Sequence, residues 1–516
     1  MMNRSTSGVR TTRAQMISLL GGAAVAGFVA PGTALAAPKR GGVVHMAQVA
    51  DVIPSGLFGQ NFPNTAVGGL IYNTLTAYDH RTLEPKPQLA KAWHVAPDGL
   101  SVTLDLRTDV KFHSGRPFTS ADVIFCIKNI QDPARGSQLR STAAVIGDAS
   151  AAGPAQVKLR LEHPVSNLFD LFEIMFIVDR ETLPDMLSGK NLIGTGAFTW
   201  KQWNPGDSLT LARNPNYWKP GRPYLDGVEL RVIPQTQALL AALQAGQIEI
   251  ALGLAPKDVA ALRSNKSFQT LVSDTHGASF YVGCNVEVKP LDKPQVRQAI
   301  SYAIDRERIL KEVFSGLGVA TSTPWPASSP AYDKGEAARY RYDPERSKAL
   351  LKAAGAEKFE TTLALNSGLG PGSPMAQIVQ FNLQQVGITT TTASFDAAQF
   401  IKKLAGGTLP GLWVNVHGFG QLHPATLVTS AFPFAAAKNA SNFQDPAYVA
   451  AVNRAWTATN ERDQRAAYRQ ITEILLQNEF VIDCVLTSPS YVNVPALRDY
   501  TYNMFDYLNF EDASLG

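Results

Sequence analysis

The chain has 516 residues, 45% of them hydrophobic, and a formal net charge of +4 at pH 7. Three of its 47 Lys and Arg lie within residues 1–36, which hold no acid, so the remainder is nearly balanced against 43 Asp and Glu. A chain of this kind can bury a large core in two or three domains, which excludes disorder, and it offers no basic excess to recruit nucleic acid.

Arg10 and Arg13 precede a soft apolar run from Met16 to Ala30, and PGTALA then places Ala34 and Ala36 at the small-residue positions of a signal-peptidase site. Residues 1–36 are therefore expected to be a signal peptide, cleaved after Ala36, and the mature protein to be periplasmic. The apolar run is shorter than the roughly 18 residues of a membrane span and is diluted by Ser18, Gly21, Gly22 and Gly27. TRAQMI resembles the start of a twin-arginine signal with Ala14 in place of the second arginine, and the export route stays open. No cysteine follows the cleavage point, which argues against a lipoprotein.

Cys126, Cys284 and Cys484 are far apart, odd in number and set among apolar neighbours, so buried thiols are expected rather than bridges. There is no C-x-x-C, H-E-x-x-H or glycine-rich phosphate loop. A G-x-S-x-G nucleophile elbow is also missing, which removes a common local signature of a hydrolase.

In chain order, VTLDLRTDVKFHSG (102–115) alternates as a half-buried strand pair, and RPFTSADVIFCIKNI begins a helix capped by Thr119 or Ser120, with Asp122 in its first turn. His113 is expected to tether the strand end to the following turn, since no acid or second histidine accompanies it. GTGAFTWKQWNPGDSLTLARNPNYW (194–218) predicts two strands reversing at Asn204-Pro205-Gly206-Asp207. YLDGVELRVIP predicts another strand, followed by a helix in TQALLAALQAGQIEIAL that Gly246 ends before a short strand. SFYVGCNV then reads as a strand, PQVRQAISYAIDRERILKEVF as one amphipathic helix with Val296, Ile300, Ile304 and Ile309 inward, and GLGVATSTPWP as a loop. Alternation of strands and helices is the α/β habit of parallel or mixed sheets.

Four of these stretches, KFHSGRPFTSADV, RNPNYW with Gly221 and Asp226 following, LQAGQIEI and PQVRQAISYAIDRERIL, resemble successive motifs of the family 5 bacterial extracellular solute-binding proteins, the peptide/nickel class. The resemblance runs in order from about residue 41 to the C-terminus and includes SKALLKAAG. It implies an α/β, two-lobed periplasmic binding protein fold with an extra subdomain in the first lobe, closing on solute like a hinged trap. By that analogy the first lobe takes 37–72, 195–277 and 486–516, the inserted subdomain 73–194 and the second lobe 278–485, with hinges near 275–280 and 483–490. The implied partners are a small solute and the inner-membrane permease and ATPase subunits of an ATP-binding cassette importer. A monomer without cofactor is expected, and no nucleic acid.

WVNVHGFGQLHPATL (413–427) is the segment on which the resemblance bears most. In peptide-binding members the equivalent strand ends in Trp, and an Asp four residues before a Pro pairs with the α-ammonium of the peptide. Trp413 and Pro424 match, but Gly420 stands where the Asp is expected. From Ala397 through Gln444 there is no acid, whereas Lys402, Lys403, His417, His423 and Lys438 all occur. An ammonium left without a charge partner in a closed cleft costs several kcal/mol, so free-amino peptides are expected to bind poorly unless an acid of the first lobe substitutes.

The candidate ligand residues are accordingly Trp413, His417, Phe419, Gly420 and His423, with Asn61, Phe62 and Asn64 from LFGQNFPNTAVGG and Arg135 and Arg140 from DPARGSQLRST. Aromatic rings would stack on a neutral or anionic solute, and an arginine would take its carboxylate. As an alternative, His417 or His423 would cap a nickel or other metal chelate, although two histidines six apart in a turn have no third ligand to fix them. For His423 a structural role before Pro424 is the stronger expectation. A periplasmic hydrolase on the same scaffold is the weaker alternative, because the acid-free stretch leaves no carboxylate to support a histidine.

Overall fold

A computed structural model describes residues 39–60 and 62–516, with only the backbone described at Phe62. The predicted signal peptide and Asn61 lie outside the described residues.

The strand Val43–Gln48 is the middle of a seven-stranded mixed sheet, pairing in parallel with Gly227–Val232 on one side and Ile250–Leu252 on the other. Its Val44, Met46 and Ala47 are fully buried, as a strand covered on both faces requires. Ser208–Arg213 and Phe198–Asn204 extend one flank, and Ser490–Asn493 with Gln269–Val272 the other. The hairpin between Phe198–Asn204 and Ser208–Arg213 turns at the expected Asn-Pro-Gly-Asp, with Gly206 at φ +78°. The helix Thr236–Gln244 ends where Gly246 takes φ +70°, and the chain drops into the short strand Ile250–Leu252.

A second mixed sheet of six strands runs in the order Val319–Ala320, Val481–Thr487, Ala278–Cys284, Leu412–His417, Phe359–Asn366 and Ile388–Phe395. One face, carrying Val282, Leu363, Val414 and Ile482, packs in a core with Val296 and Ile300 of the helix Pro294–Ala303 and with Met375 and Val379 of Gly372–Gln384. The chain leaves the seven-stranded sheet after Val272, enters the six-stranded one at Ala278, and returns between Thr487 and Ser490. These two crossings are tied to each other: Ser273 N–H donates to Pro489 O at 3.0 Å and His276 N–H to Ser488 Oγ at 2.9 Å.

A third, four-stranded antiparallel sheet joins Ala90–Val95, Ser101–Leu106, Gln156–Leu161 and Ile146–Ala151. The helix Ser120–Gln131 packs on it, with Thr119 as N-cap and the Asp122 carboxylate accepting from the Thr119 N–H at 2.9 Å. All three cysteines are buried free thiols.

Three element expectations are corrected. Residues 102–115 do not form a strand pair: Ser101–Leu106 pairs with strands before and after it, and beyond it only an isolated bridge joins Lys111 to Pro117. Arg107 clasps Asp109 through two hydrogen bonds at 3.0 and 2.6 Å, while its backbone N–H goes to Leu89 O, so the alternating residues turn rather than extend. The single helix expected from Pro294 onward is two, Pro294–Ala303 and Arg306–Glu312. Ile304 is extended, and the Asp305 side chain accepts from the Arg308 N–H at 2.9 Å, starting a new helix. Val296, Ile300, Ile304 and Ile309 all point inward regardless. The loop expected at 316–326 also contributes the short strand Val319–Ala320.

Candidate solute-binding site

Strand alternation puts Trp413, Asn415 and His417 on one face of Leu412–His417 and Val414 and Val416 on the helix-covered face. Trp413 is fully buried, its ring lying so close over Gly283 that a Cβ there would sit 2.1 Å from it. Its indole N–H points to Tyr281 Oη at 3.4 Å. In this arrangement Trp413 is a core residue with no ring face open to a solute.

His417 ends the strand. Its Nδ1 donates to Gly418 O at 2.9 Å, which fixes the proton there because a carbonyl can only accept. Nε2 is buried without a hydrogen-bond partner, 3.7 Å from Asp483 Oδ1, which in turn accepts from Ser279 Oγ at 2.6 Å. Phe434 meets the imidazole edge-on at 4.7 Å.

The loop that follows crosses toward the other sheet. Phe419 adopts φ +75° and stacks on Phe505 at 5.7 Å and 24°. A bulky residue at positive φ is held there by its surroundings, and such strain collects at ligand clamps. Gly420 leaves no room for a side chain, since a Cβ would lie 2.8 Å from the Pro324 carbonyl. Gln421 packs its amide on Gly277, and its buried Oε1 has no partner.

His423 is the N-cap of the helix Pro424–Ser430, and its Nδ1 faces Tyr468 Oη at 2.8 Å. Burial pushes it down to about 4, so the ring is neutral. Its N–H reaches Asp170 Oδ2 at 3.2 Å. The structural role fits His423, whose neutral ring is hydrogen-bonded to Tyr468, and the metal-chelate alternative is not favoured.

Arg135 ends the short 3-10 helix Pro133–Arg135, with its Nε buried and unpartnered, 3.7 Å from Asp132 Oδ2. Arg140 is exposed and uses its Nε on Gln131 O at 3.1 Å. Asn64 spends its amide on Ile53, accepting from the N–H at 2.8 Å and donating to the carbonyl at 2.9 Å. Away from the loop, His113 is the tether expected of it: Nε2 donates to Gly196 O at 3.0 Å and Nδ1 accepts from the Gly194 N–H at 3.3 Å. Burial lowers its pKa to about 4.

Three buried carboxylates and the half-buried Asp506 near these elements had not been singled out in the sequence. Asp170 and Glu173 lie on the helix Leu168–Ile174, Asp483 on Val481–Thr487, and Asp506 beside Phe505. Burial pushes Asp170 up to about 7, Glu173 to about 8 and Asp506 to about 7. The Asp506 carboxylate accepts from Ser273 Oγ at 2.6 Å and Thr275 Oγ1 at 3.3 Å, at the crossing between the sheets. A sequence signal existed for some of them: acids standing inside apolar runs, as in NLFDLFEIMF and VIDCVL.

Two mixed sheets joined by paired crossings, with a strained glycine-rich loop between them, define a two-lobed periplasmic binding protein fold. Residues 84–434 match the bacterial extracellular solute-binding proteins, family 5 Middle, and the chain belongs to that family. It is 28% identical over 443 residues to Di/tripeptide-binding protein 2 of Pseudomonas aeruginosa (strain UCBPP-PA14), covering 78% of this chain and 81% of that one. It is 30% identical over 351 residues to Glutathione-binding protein GsiB of Escherichia coli O157:H7, covering 66% and 67%. In structure it is similar to AgaA from A. tumefacien R10 in complex with agropinic acid, with a TM-score of 0.81 and 23% identity over 92% of this chain and 99% of that one. The chain is thus a substrate-binding protein of an ATP-binding cassette importer, of a family that is extracellular in bacteria and works with permease and ATPase subunits. No helix among the described residues is long and apolar enough to cross a membrane.

Proposed function

We propose that the chain is a monomeric periplasmic receptor for a small neutral or anionic solute, held without a carboxylate for a free α-ammonium. The observation that carries this reading is Gly420, where the backbone of Pro324 fills the space a side chain would need. The acid-free 397–444 segment agrees with it. Buried and half-buried acids from elsewhere already have partners: Asp170 takes Tyr78 Oη, the His423 N–H and Thr426 Oγ1, and Asp506 takes Ser273 and Thr275. Relatives named for glutathione and for di/tripeptides, and a fold neighbour holding agropinic acid, agree with a solute that carries a carboxylate; the first two ligand classes also carry a free α-ammonium, and it is Gly420 that sets this chain apart from them.

Phe419, His417 with its free Nε2, Gln421 and the unpartnered Nε of Arg135 are the groups left to receive such a solute, with Arg140 near Arg135 in sequence. The lobes are 37–72 with 195–277 and 486–516, and 278–485, with 73–194 inserted. The doubled crossing at 273–278 and 487–490 is the hinge, because few residues there need change φ and ψ to swing one sheet against the other. Residues 1–36 are the signal peptide. The chain binds rather than turns over its solute: its thiols are buried, and His113 and His423 are neutral and committed to structural partners.

Native mass spectrometry of the purified protein tests this. A co-purified solute bearing carboxylate and no free primary amine is expected, with Arg135→Gln lowering its affinity by about tenfold or more. A bound free-amino peptide would overturn the reading.

A further inference from the structure

Beyond solute recognition, the boundary between the inserted subdomain and the second lobe carries a continuous set of polar contacts that use no solute. Asn167 Nδ2 donates to Thr426 Oγ1 at 2.8 Å, and Asn167 Oδ1 accepts from Trp456 Nε1 at 2.8 Å. The Ser166 N–H donates to Trp456 O at 2.8 Å and its hydroxyl to Ala455 O at 3.0 Å. Ser141 and Ser430 meet hydroxyl to hydroxyl at 2.8 Å. Asp170 completes the set, accepting from Thr426 Oγ1 and from the His423 N–H at the start of the helix Pro424–Ser430. The same helix start is therefore gripped from the subdomain by two residues one helical turn apart, and it is the end of the 417–423 loop.

The groups at this boundary are themselves buried, Asn167, Asp170 and Thr426 fully so, yet their chemistry differs from that of a purely apolar core. Nearly every group is a hydroxyl, an amide or a backbone carbonyl, and a neutral hydrogen bond exchanged for water has a small net cost, so such a surface can open and re-solvate. A groove of about 200 Å³ lies beside it, with Val165, Phe169 and Leu161 on one wall and Ala458, Thr459 and Gln464 on the other. Burial of the Asn167 amide, with both donors and its oxygen satisfied by Thr142, Thr426 and Trp456, fits one closed register only.

We infer that Asn167 and Asp170 form a latch that holds the two lobes closed and positions the solute loop, so that part of the closing free energy comes from the protein itself and solute contacts bias an equilibrium already near balance. This rests on the reading of the lobes as hinged. Asn167 and Asp170 act through Thr426 and His423 and are positioning residues.

The test is made without solute on the full mature chain. Small-angle scattering and amide hydrogen exchange are compared for the wild type, Asn167→Ala, and Trp456→Phe, which removes a single N–H donor. A Ser141→Cys/Ser430→Cys pair is added to each to staple the boundary. The latch predicts a larger radius of gyration in Asn167→Ala, about tenfold or faster exchange at the Ser166 and His423 amides, and a smaller shift of the same sign in Trp456→Phe. The staple should return the radius to the wild-type value, which loss of folded structure would not allow. Unchanged radius and exchange in both variants, or an expanded variant that the staple fails to compact, would overturn the latch. A solute screen that finds nothing would count against the receptor reading and leave these solute-free results standing.

Discussion

At the scale of the residue, the chain shows how a site is shaped by what is missing. Gly283 and Gly420 do opposite work with the same absence of a Cβ. At Gly283 it lets the Trp413 ring lie flat on the strand, and Gly283→Ala would push a methyl into an indole 2.1 Å away. Overpacking a sealed core costs roughly 1–3 kcal/mol, so the denaturation midpoint of Gly283→Ala should fall accordingly, and a wild-type midpoint would contradict the packing. At Gly420 the Pro324 carbonyl occupies the space, so the absent aspartate could not simply be restored. Burial pushes all three thiols up to about 12. The native protein should therefore leave Ellman's reagent uncoloured at pH 8 until it is unfolded; rapid native reaction would place a thiol at the surface.

At the scale of the element, local signals were legible wherever one residue decides the outcome. Thr119 caps its helix, Gly246 ends another, and Asn204 to Asp207 turn a hairpin. The reading failed where side chains compete with periodicity. Asp305 restarts a helix that the apolar spacing of Ile300, Ile304 and Ile309 would have carried through, and the Arg107–Asp109 clasp turns an alternating stretch. The helix Leu168–Ile174 adds a pH dependence. Asp170 and Glu173 have folded-state pKa values of about 7 and about 8, above their ordinary carboxylate values. The native state therefore holds protons that the unfolded chain has lost, and the stability this contributes is full below about pH 4 and is lost as pH rises through the folded values. Neutral His113 and His423 work in the opposite sense, but only below their ordinary pKa of about 6.5. Between about pH 6.5 and 8.5 Asp170 and Glu173 titrate together with the other raised carboxylates, Asp506 at about 7 and Glu479 at about 8, all in the same sense, so the urea midpoint should fall as pH rises. Asp170→Asn with Glu173→Gln should make the fall shallower, leaving the share of Asp506 and Glu479; an unaltered slope in that double variant would assign the dependence to other groups.

At the scale of the whole molecule, the α/β two-lobed class was legible because many separate motifs agreed on it, whereas the composition of the cleft was not. The 413–427 strand and loop could be found in the sequence, but not that Trp413 would be sealed against Gly283 or that Phe419 would stack on Phe505 from the far end of the chain. Nor could linear spacing bring Asp170 to His423 or Asp483 to His417, since those neighbours are created only when the subdomain meets the second lobe and three strands align. Specificity in such a trap belongs to the closed whole, where both lobes touch the solute at once. Calorimetric titration of the mature protein with a mixed di- to pentapeptide pool and with the same pool N-acetylated tests the central claim most directly. No tight heat is expected from the free-amino pool, and binding at least as strong after acetylation; tight binding of the free-amino pool that acetylation abolishes would show that the cleft holds an α-ammonium after all.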